Sequence, residues 1–220
     1  MLHGILGRYV SVVLMVFLLP SSSVPVIGEQ VGDKTETARG EAVNKEVGKE
    51  HKMIGQLDSP SESVRSAASA EILKNRDADL QQIAALVEKY LSIDDRKATA
   101  RDGILLLGKL HAAQYVPLLV KNMTFRVSYL TTTRPQSIED LCPAVQALID
   151  IGSPALKPVM HRVKSEDDEN LQAGGAAVFR GVLGEEWAAV LLEYEIQAAG
   201  QSTVAERLRQ VLHQLRRLPK

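Results

Sequence analysis

The feature that most constrains this chain is a spacing. Four apolar helical patterns end at Leu73, Leu107, Ile149 and Leu183, so successive ends are offset by 34, 42 and 34 residues. A recurring interval of this size signals helix pairs stacked in series, because one pair exposes apolar faces that only a neighbouring pair covers. One insertion, 124–137, accounts for the longer middle interval. Aromatic residues make up only 4% of the chain, and its 45% apolar content is mostly Leu, Ala, Val and Ile. That composition favours helices over a β-sandwich.

The helix boundaries follow from local chemistry. Ser59-Pro60-Ser61-Glu62 predicts a helix with Ser59 as N-cap and Pro60 at its first position, and Val64, Ala67, Ala68, Ile72 and Leu73 as its apolar face. Leu80, Ile83, Leu86, Val87, Tyr90 and Leu91 define the next face. Asp94 and Asp95 start a third helix carrying Ala98, Ile104, Leu105, Leu107 and Leu110. A turn at His111-Ala112-Ala113 leads to Tyr115, Val116, Leu118, Leu119 and Met123. Connections this short predict antiparallel neighbours.

The unit then returns. Val145, Leu148, Ile149 and Ile151 end at Gly152, a natural C′ residue, and Ser153-Pro154 restarts the chain as N-cap and first position. Leu156, Val159, Met160 and Val163 line that helix. Asp167, Asp168 and Glu169 favour another helix start by opposing the macrodipole. Its core-facing residues are Ala173, Ala176, Ala177, Val178 and Leu183. Trp187, Val190, Leu191, Tyr194 and Ile196 are expected to line its partner, and Thr203-Val204-Ala205-Glu206 reads as a capping box opening a last helix.

The N-terminal part is different in kind. Residues 1–28 have the form of a secretory signal peptide: His3 and Arg8, an apolar run from Tyr9 to Leu19, then Pro20 and three serines. Cleavage is expected after Ser23 or after Gly28. The run is about half of the roughly 20 apolar residues that cross a bilayer, so no membrane span is expected after cleavage. Residues 29–41 read as a flexible linker, and 42–56 as an N-terminal capping helix interrupted by Gly48 and Gly55.

The segment Leu57-Asp58-Ser59-Pro60-Ser61-Glu62-Ser63-Val64-Arg65-Ser66-Ala67-Ala68 resembles the turn, Val-Arg pair and Ala-rich first helix of HEAT repeats. Ala147-Leu148-Ile149-Asp150-Ile151-Gly152-Ser153-Pro154-Ala155-Leu156 is similar to that family's helix, glycine turn and proline-started second helix. The resemblance extends over 57–218. It implies an all-α fold, a right-handed α-solenoid of about four antiparallel helix pairs plus a C-terminal capping helix. It further implies a concave side lined by second helices, here carrying Lys121, Lys157, His161, Arg162, Glu193 and Glu195. Tetratricopeptide repeats share the interval, but their tryptophan, glycine-tyrosine and phenylalanine positions are not met.

Chemistry-bearing patterns are sparse. Formal net charge is −1, without the basic excess that phosphate backbones demand, so no nucleic-acid partner is expected. The single cysteine, Cys142, permits neither an intramolecular disulfide nor a multi-cysteine zinc site. It precedes Pro143 at a helix start and reads as a small structural residue. His3, His51, His111, His161 and His213 show no metal-ligand spacing. Glu166 to Glu169 reads as a solvated helix start rather than a cation site. Gly174-Gly175 lacks the lysine of a phosphate loop and suits close helix packing. No metal, cofactor or catalytic residue is expected, and Asn122-Met123-Thr124 is a glycosylation sequon.

The insertion holds the candidate partner-binding residues: Phe125, Arg126, Tyr129 and Arg134, two aromatics and two arginines on one connection. The alternative is that Phe125 and Tyr129 only pack on adjacent helices. The sequence therefore predicts an exported, non-enzymatic protein–protein interaction or scaffold module, periplasmic or secreted, binding a protein or peptide. The alternatives are a catalytic or lyase-type HEAT-like protein, to which no active residue carries over, or a structural subunit of an envelope assembly.

Overall fold

The computed structural model describes residues 53–75, 79–127 and 137–218, all within the unit Ala42–Lys220. The expected signal peptide and linker, residues 42–52 of the expected capping helix, and the centre of the insertion lie outside the described residues. The described chain is all-helical, with no strand among the described residues.

A helical turn at 53–57 buries Met53, Ile54 and Leu57. It is followed by α1 (Glu62–Asn75), α2 (Leu80–Tyr90), α3 (Lys97–Lys109), α4 (Val116–Lys121), α5 (Ile138–Leu141), α6 (Pro143–Ile151), α7 (Ser153–Ser165), α8 (Glu169–Leu183), α9 (Glu185–Ala199) and α10 (Thr203–Arg217). Short 3₁₀ turns, Asp94–Arg96 and Ala113–Tyr115, lead into α3 and α4.

Side chains or glycines cap most of these helices. Asp79 accepts from the amides of Gln81 and Gln82 at the start of α2, and Asp168 from Leu171 at the start of α8. Gly152, Gly184 and Gly200 take positive φ between successive helices, where a Cβ would be strained. Three starts differ from the sequence expectation. α1 begins at Glu62, not Pro60, because the Ser59 hydroxyl folds back onto the Ser61 amide and holds Pro60 in the preceding turn. α10 is capped by Ser202, whose hydroxyl accepts from Ala205, one residue before the expected Thr203. Ser153 is likewise already helical, and Gly152 holds the cap position.

The α3–α4 connection ends in a paired carbonyl cap. Ala112 donates to the Leu107 carbonyl at 3.0 Å and His111 to the Gly108 carbonyl at 2.8 Å, with His111 at φ 51°. Both orphan carbonyls are satisfied by a Schellman arrangement whose left-handed position is occupied by a histidine rather than a glycine.

Packing links each helix to several others. α1 and α2 pack on α3, α3 on α6, α6 on α8, and α8 on α9 and α10; α4 lies against α6 and α7, and α10 against α7. Several contacts are closed by glycine. A Cβ at Gly108 on α3 would stand 2.5 Å from the Ala147 Cα on α6; one at Gly103 would be 2.7 Å from Val87 Cγ2 on α2. On α8, a Cβ at Gly175 would meet Val163 Cγ1 of α7 at 2.6 Å, and one at Gly174 would meet Val145 Cγ2 of α6 at 3.1 Å. The glycine pair of α8 thus serves close helix approach on both sides.

The α1 face differs from expectation. Val64 is 38% exposed and Ala67 is also exposed, whereas Arg65 is 4% exposed beside buried Ala68 and Ile72. Arg65, Ala68 and Ile72 follow the i, i+3, i+7 spacing of one helix face. The arginine is tolerated there because its head is paired and hydrogen-bonded: Nε donates to Asp102 Oδ2 at 2.7 Å, and Nη1 to the carbonyls of Ser59 and Pro60 at 3.0 and 2.9 Å. Nearby, Asp58 accepts from the Tyr90 hydroxyl, Lys89 and Arg96, and the Arg96 guanidinium lies 4.4 Å from the Tyr90 ring centroid. Desolvation pushes the Asp58 carboxyl upward, but the bonds to Tyr90, Lys89 and Arg96 outweigh it and hold the group below 3.8.

Two substitutions check this packing in opposite directions. Gly108→Ala is expected to destabilise by about 1–3 kcal/mol despite alanine's better helix propensity, because the obstacle is backbone that cannot rotate away. His111→Gly is expected to stabilise by up to about 1 kcal/mol by relieving the left-handed position. Denaturant melts of the two variants read both signs. A neutral Gly108→Ala would mean that α3 and α6 are less closely apposed than described.

Candidate interaction surface

The residues singled out on the insertion divide. Phe125 is half-buried and packs against the core, with Val127 buried beside it. Its backbone amide donates to the Asn122 carbonyl at 3.0 Å. Phe125 therefore anchors the start of the connection, as the packing alternative anticipates. Arg126 is exposed, and its Nη2 donates to Asn170 Oδ1 on α8 at 2.5 Å. Tyr129 and Arg134 lie outside the described residues.

Cys142, between α5 and α6, is 1% exposed. Burial pushes its thiol above the ordinary value of 9.0, against a smaller opposing pull from the Arg126 guanidinium. A nucleophile needs the reverse balance. The segment in front of it is set by Ser137, which forms a reciprocal capping box with Asp140 at the start of α5.

Three of the six residues expected on second helices are engaged locally. Arg162 donates to the Val120 carbonyl on α4 and pairs with Glu166 at 3.1 Å, Glu195 pairs with Lys164, and Glu193 pairs with Arg216 at 3.0 Å. Lys121, Lys157 and His161 are exposed. The acidic run is absorbed in the same way: Asp168 caps α8, Asp167 accepts from Gln172 at 3.3 Å, and Glu169 from Gln214 at 3.5 Å. Among the described residues no group of three or more His, Cys, Asp or Glu could hold a metal ion, and no helix is long and apolar enough to cross a membrane.

The clearest surface feature lies where the sequence predicts core. Trp187, Val190 and Tyr194 of α9 are 66%, 54% and 64% exposed, whereas Ala188 and Leu192 are the residues that α9 buries. At about 100° per residue the exposed three form one stripe opposite the buried pair. The correction has a physical reason. α9 is apolar on two sides, and its neighbours α8 and α10 cover only the side bearing the small Ala188. An apolar arc wider than one packed neighbour can cover was the available sequence signal, since 187, 190 and 194 alternate with 188, 191, 192 and 196. Three large apolar side chains exposed along one helix face make this a candidate interaction surface rather than scattered surface hydrophobicity.

Compared with known proteins, the chain matches no family model, no curated protein and no solved structure.

The burial of Cys142 is open to direct measurement. In the folded protein at neutral pH the thiol is expected to resist alkylation, reacting only once denaturant is added. Fast labelling of the native chain would show a mobile or ionised thiol instead.

Proposed function

We propose that the chain is an exported, non-enzymatic protein-interaction module, built as a HEAT-like right-handed solenoid of about four helix pairs with α10 as its capping helix. The observation that carries the binding reading is the α9 stripe, Trp187, Val190 and Tyr194. Large amphipathic aromatics supply contact area at low entropic cost and are enriched where interfaces concentrate their energy. The serial architecture is supported by the order of packing, in which α1, α3, α6, α8 and α10 each lie on the next. Contacts confined to neighbours of that kind spread stability along the chain and leave an extended surface for a partner. Export is supported by the short apolar run from Tyr9 to Leu19 and the serines after it.

One cellular experiment tests the reading. A photo-crosslinking residue is placed at Tyr194, at Arg126 and, as a control, at Ala67, and the mature N-terminus is sequenced from the same sample. The expected outcome is a discrete protein adduct from Tyr194 or Arg126 but not Ala67, on a chain that begins near Val24 or Glu29. Equal background at all three positions would sink the module. An intact Met1 in the cytosolic fraction would sink export.

A further inference from the structure

Taking the interaction-module reading as its basis, we infer that the outward face of α9 docks a cationic amphipathic helix. The stripe from Trp187 to Tyr194 covers two helical turns, about 10 Å. That is the footprint of helix recognition, in which a partner presents apolar residues at i, i+3 or i+4, and i+7. The charge around it selects the partner. α9 carries Glu185, Glu186, Glu193 and Glu195 and no basic residue. Glu186 and Glu193 are seven residues apart and therefore lie on one edge of the stripe, two turns from each other. Glu195 is held by Lys164 toward α7, whereas Glu193 meets only the exposed Arg216, in a surface pair that exchanges at little cost. The edge thus presents carboxylates at a two-turn spacing, matched by Lys or Arg at i and i+7 on the flank of a bound helix.

A second copy of this chain fits less well. Laid stripe on stripe, antiparallel about a two-fold axis, the two copies bring Glu186 and Glu193 of each to the same edge. Those carboxylates then face only the two Arg216 side chains, leaving excess negative charge at the contact. Nor does α10 offer an apolar counterpart for the stripe, because its exposed residues, Thr203, Glu206, Arg209, Gln210, His213, Arg216 and Arg217, are all polar or charged. A basic apolar helix satisfies both the stripe and its edge at once.

Trp187 is the only tryptophan of the chain and sits in the stripe, so its emission reports occupancy directly. The probes are two tryptophan-free 18-residue peptides with leucine on one helical face, flanked by lysine in one and by glutamate in the other. With the full mature chain, the lysine peptide is expected to give a saturable blue shift and to bind about tenfold or more tighter than the glutamate peptide at low salt. Raising salt from about 0.05 to about 0.3 M should narrow that gap. Val190→Arg should abolish the shift while leaving the melting temperature unchanged, since Val190 is 54% exposed. Glu186→Lys with Glu193→Lys should reverse the preference between the peptides. Equal affinity for both peptides, or no shift with either, overturns the proposal. So does a blue shift that grows with protein concentration alone, accompanied by dimer in sedimentation. If crosslinked partners are found in cells while neither peptide binds, the module stands and the cationic-helix partner falls. If crosslinking also fails, both fall.

Discussion

The approach of α3 to α6 at Gly108 and Ala147 is the contact on which the rest of the arrangement depends. These two helices are separated in sequence by α4, the insertion and α5, yet the Gly108 Cα has no room for a methyl group against the Ala147 backbone. Two small residues let the helix backbones touch, and the larger side chains on either side, Leu107 and Leu148, then become fully buried. Dispersion falls off steeply with distance, so a gap of even half an ångström here would weaken many atom contacts together. The chain before the insertion is thereby joined to the chain after it through backbone proximity rather than through the connection itself. α4 reinforces the join, since its Val120 carbonyl accepts from Arg162 on α7.

The chain uses different means at different places. Around 58–102 polar bonds bear much of the joining: Arg65 ties the Ser59–Pro60 turn to Asp102 on α3, and Asp58 gathers Tyr90, Lys89 and Arg96. Charged groups buried this way contribute definite geometry more than net stability, because desolvation offsets much of their attraction. In the centre glycines do the joining, and α8 carries two of them back to back, one against α6 and one against α7. Toward the C-terminal end α10 packs an apolar face formed by Leu208, Val211, Leu212 and Leu215 and turns arginines outward. That end is finished with charge on α10 and with exposed apolar surface on α9. The contrast between the two helices of this last hairpin sets the stripe apart.

The described start of the insertion is held by local contacts. Its first residues, Phe125 and Val127, serve packing, and Arg126 reaches Asn170 on α8 while opposing, weakly, the effect of burial on Cys142. These are anchoring roles. Among the described residues the strongly exposed aromatics, Trp187 and Tyr194, stand on α9, where a rigid helix presents them at fixed spacing, and fixed presentation lowers the ordering cost that binding must overcome.

Much of the helix pattern was legible in the sequence alone. The apolar faces of α2, α4, α6 and α7, the Gly152 turn, the Asp168 start and the packing use of Gly174-Gly175 all follow from spacing and capping chemistry, which are local and so are written in the order of residues. Tertiary structure alone decided which of two apolar sides α9 buries, and that Arg65 rather than Val64 turns inward on α1. Periodicity gives the direction of an apolar face but not the presence of a neighbour to cover it. A buried arginine becomes permissible only when Asp102, 37 positions later, arrives beside it. The left-handed His111 is of the same kind: the sequence marks a turn there, but only the carbonyls of Leu107 and Gly108, brought within reach by the end of α3, hold a residue with a Cβ in that conformation.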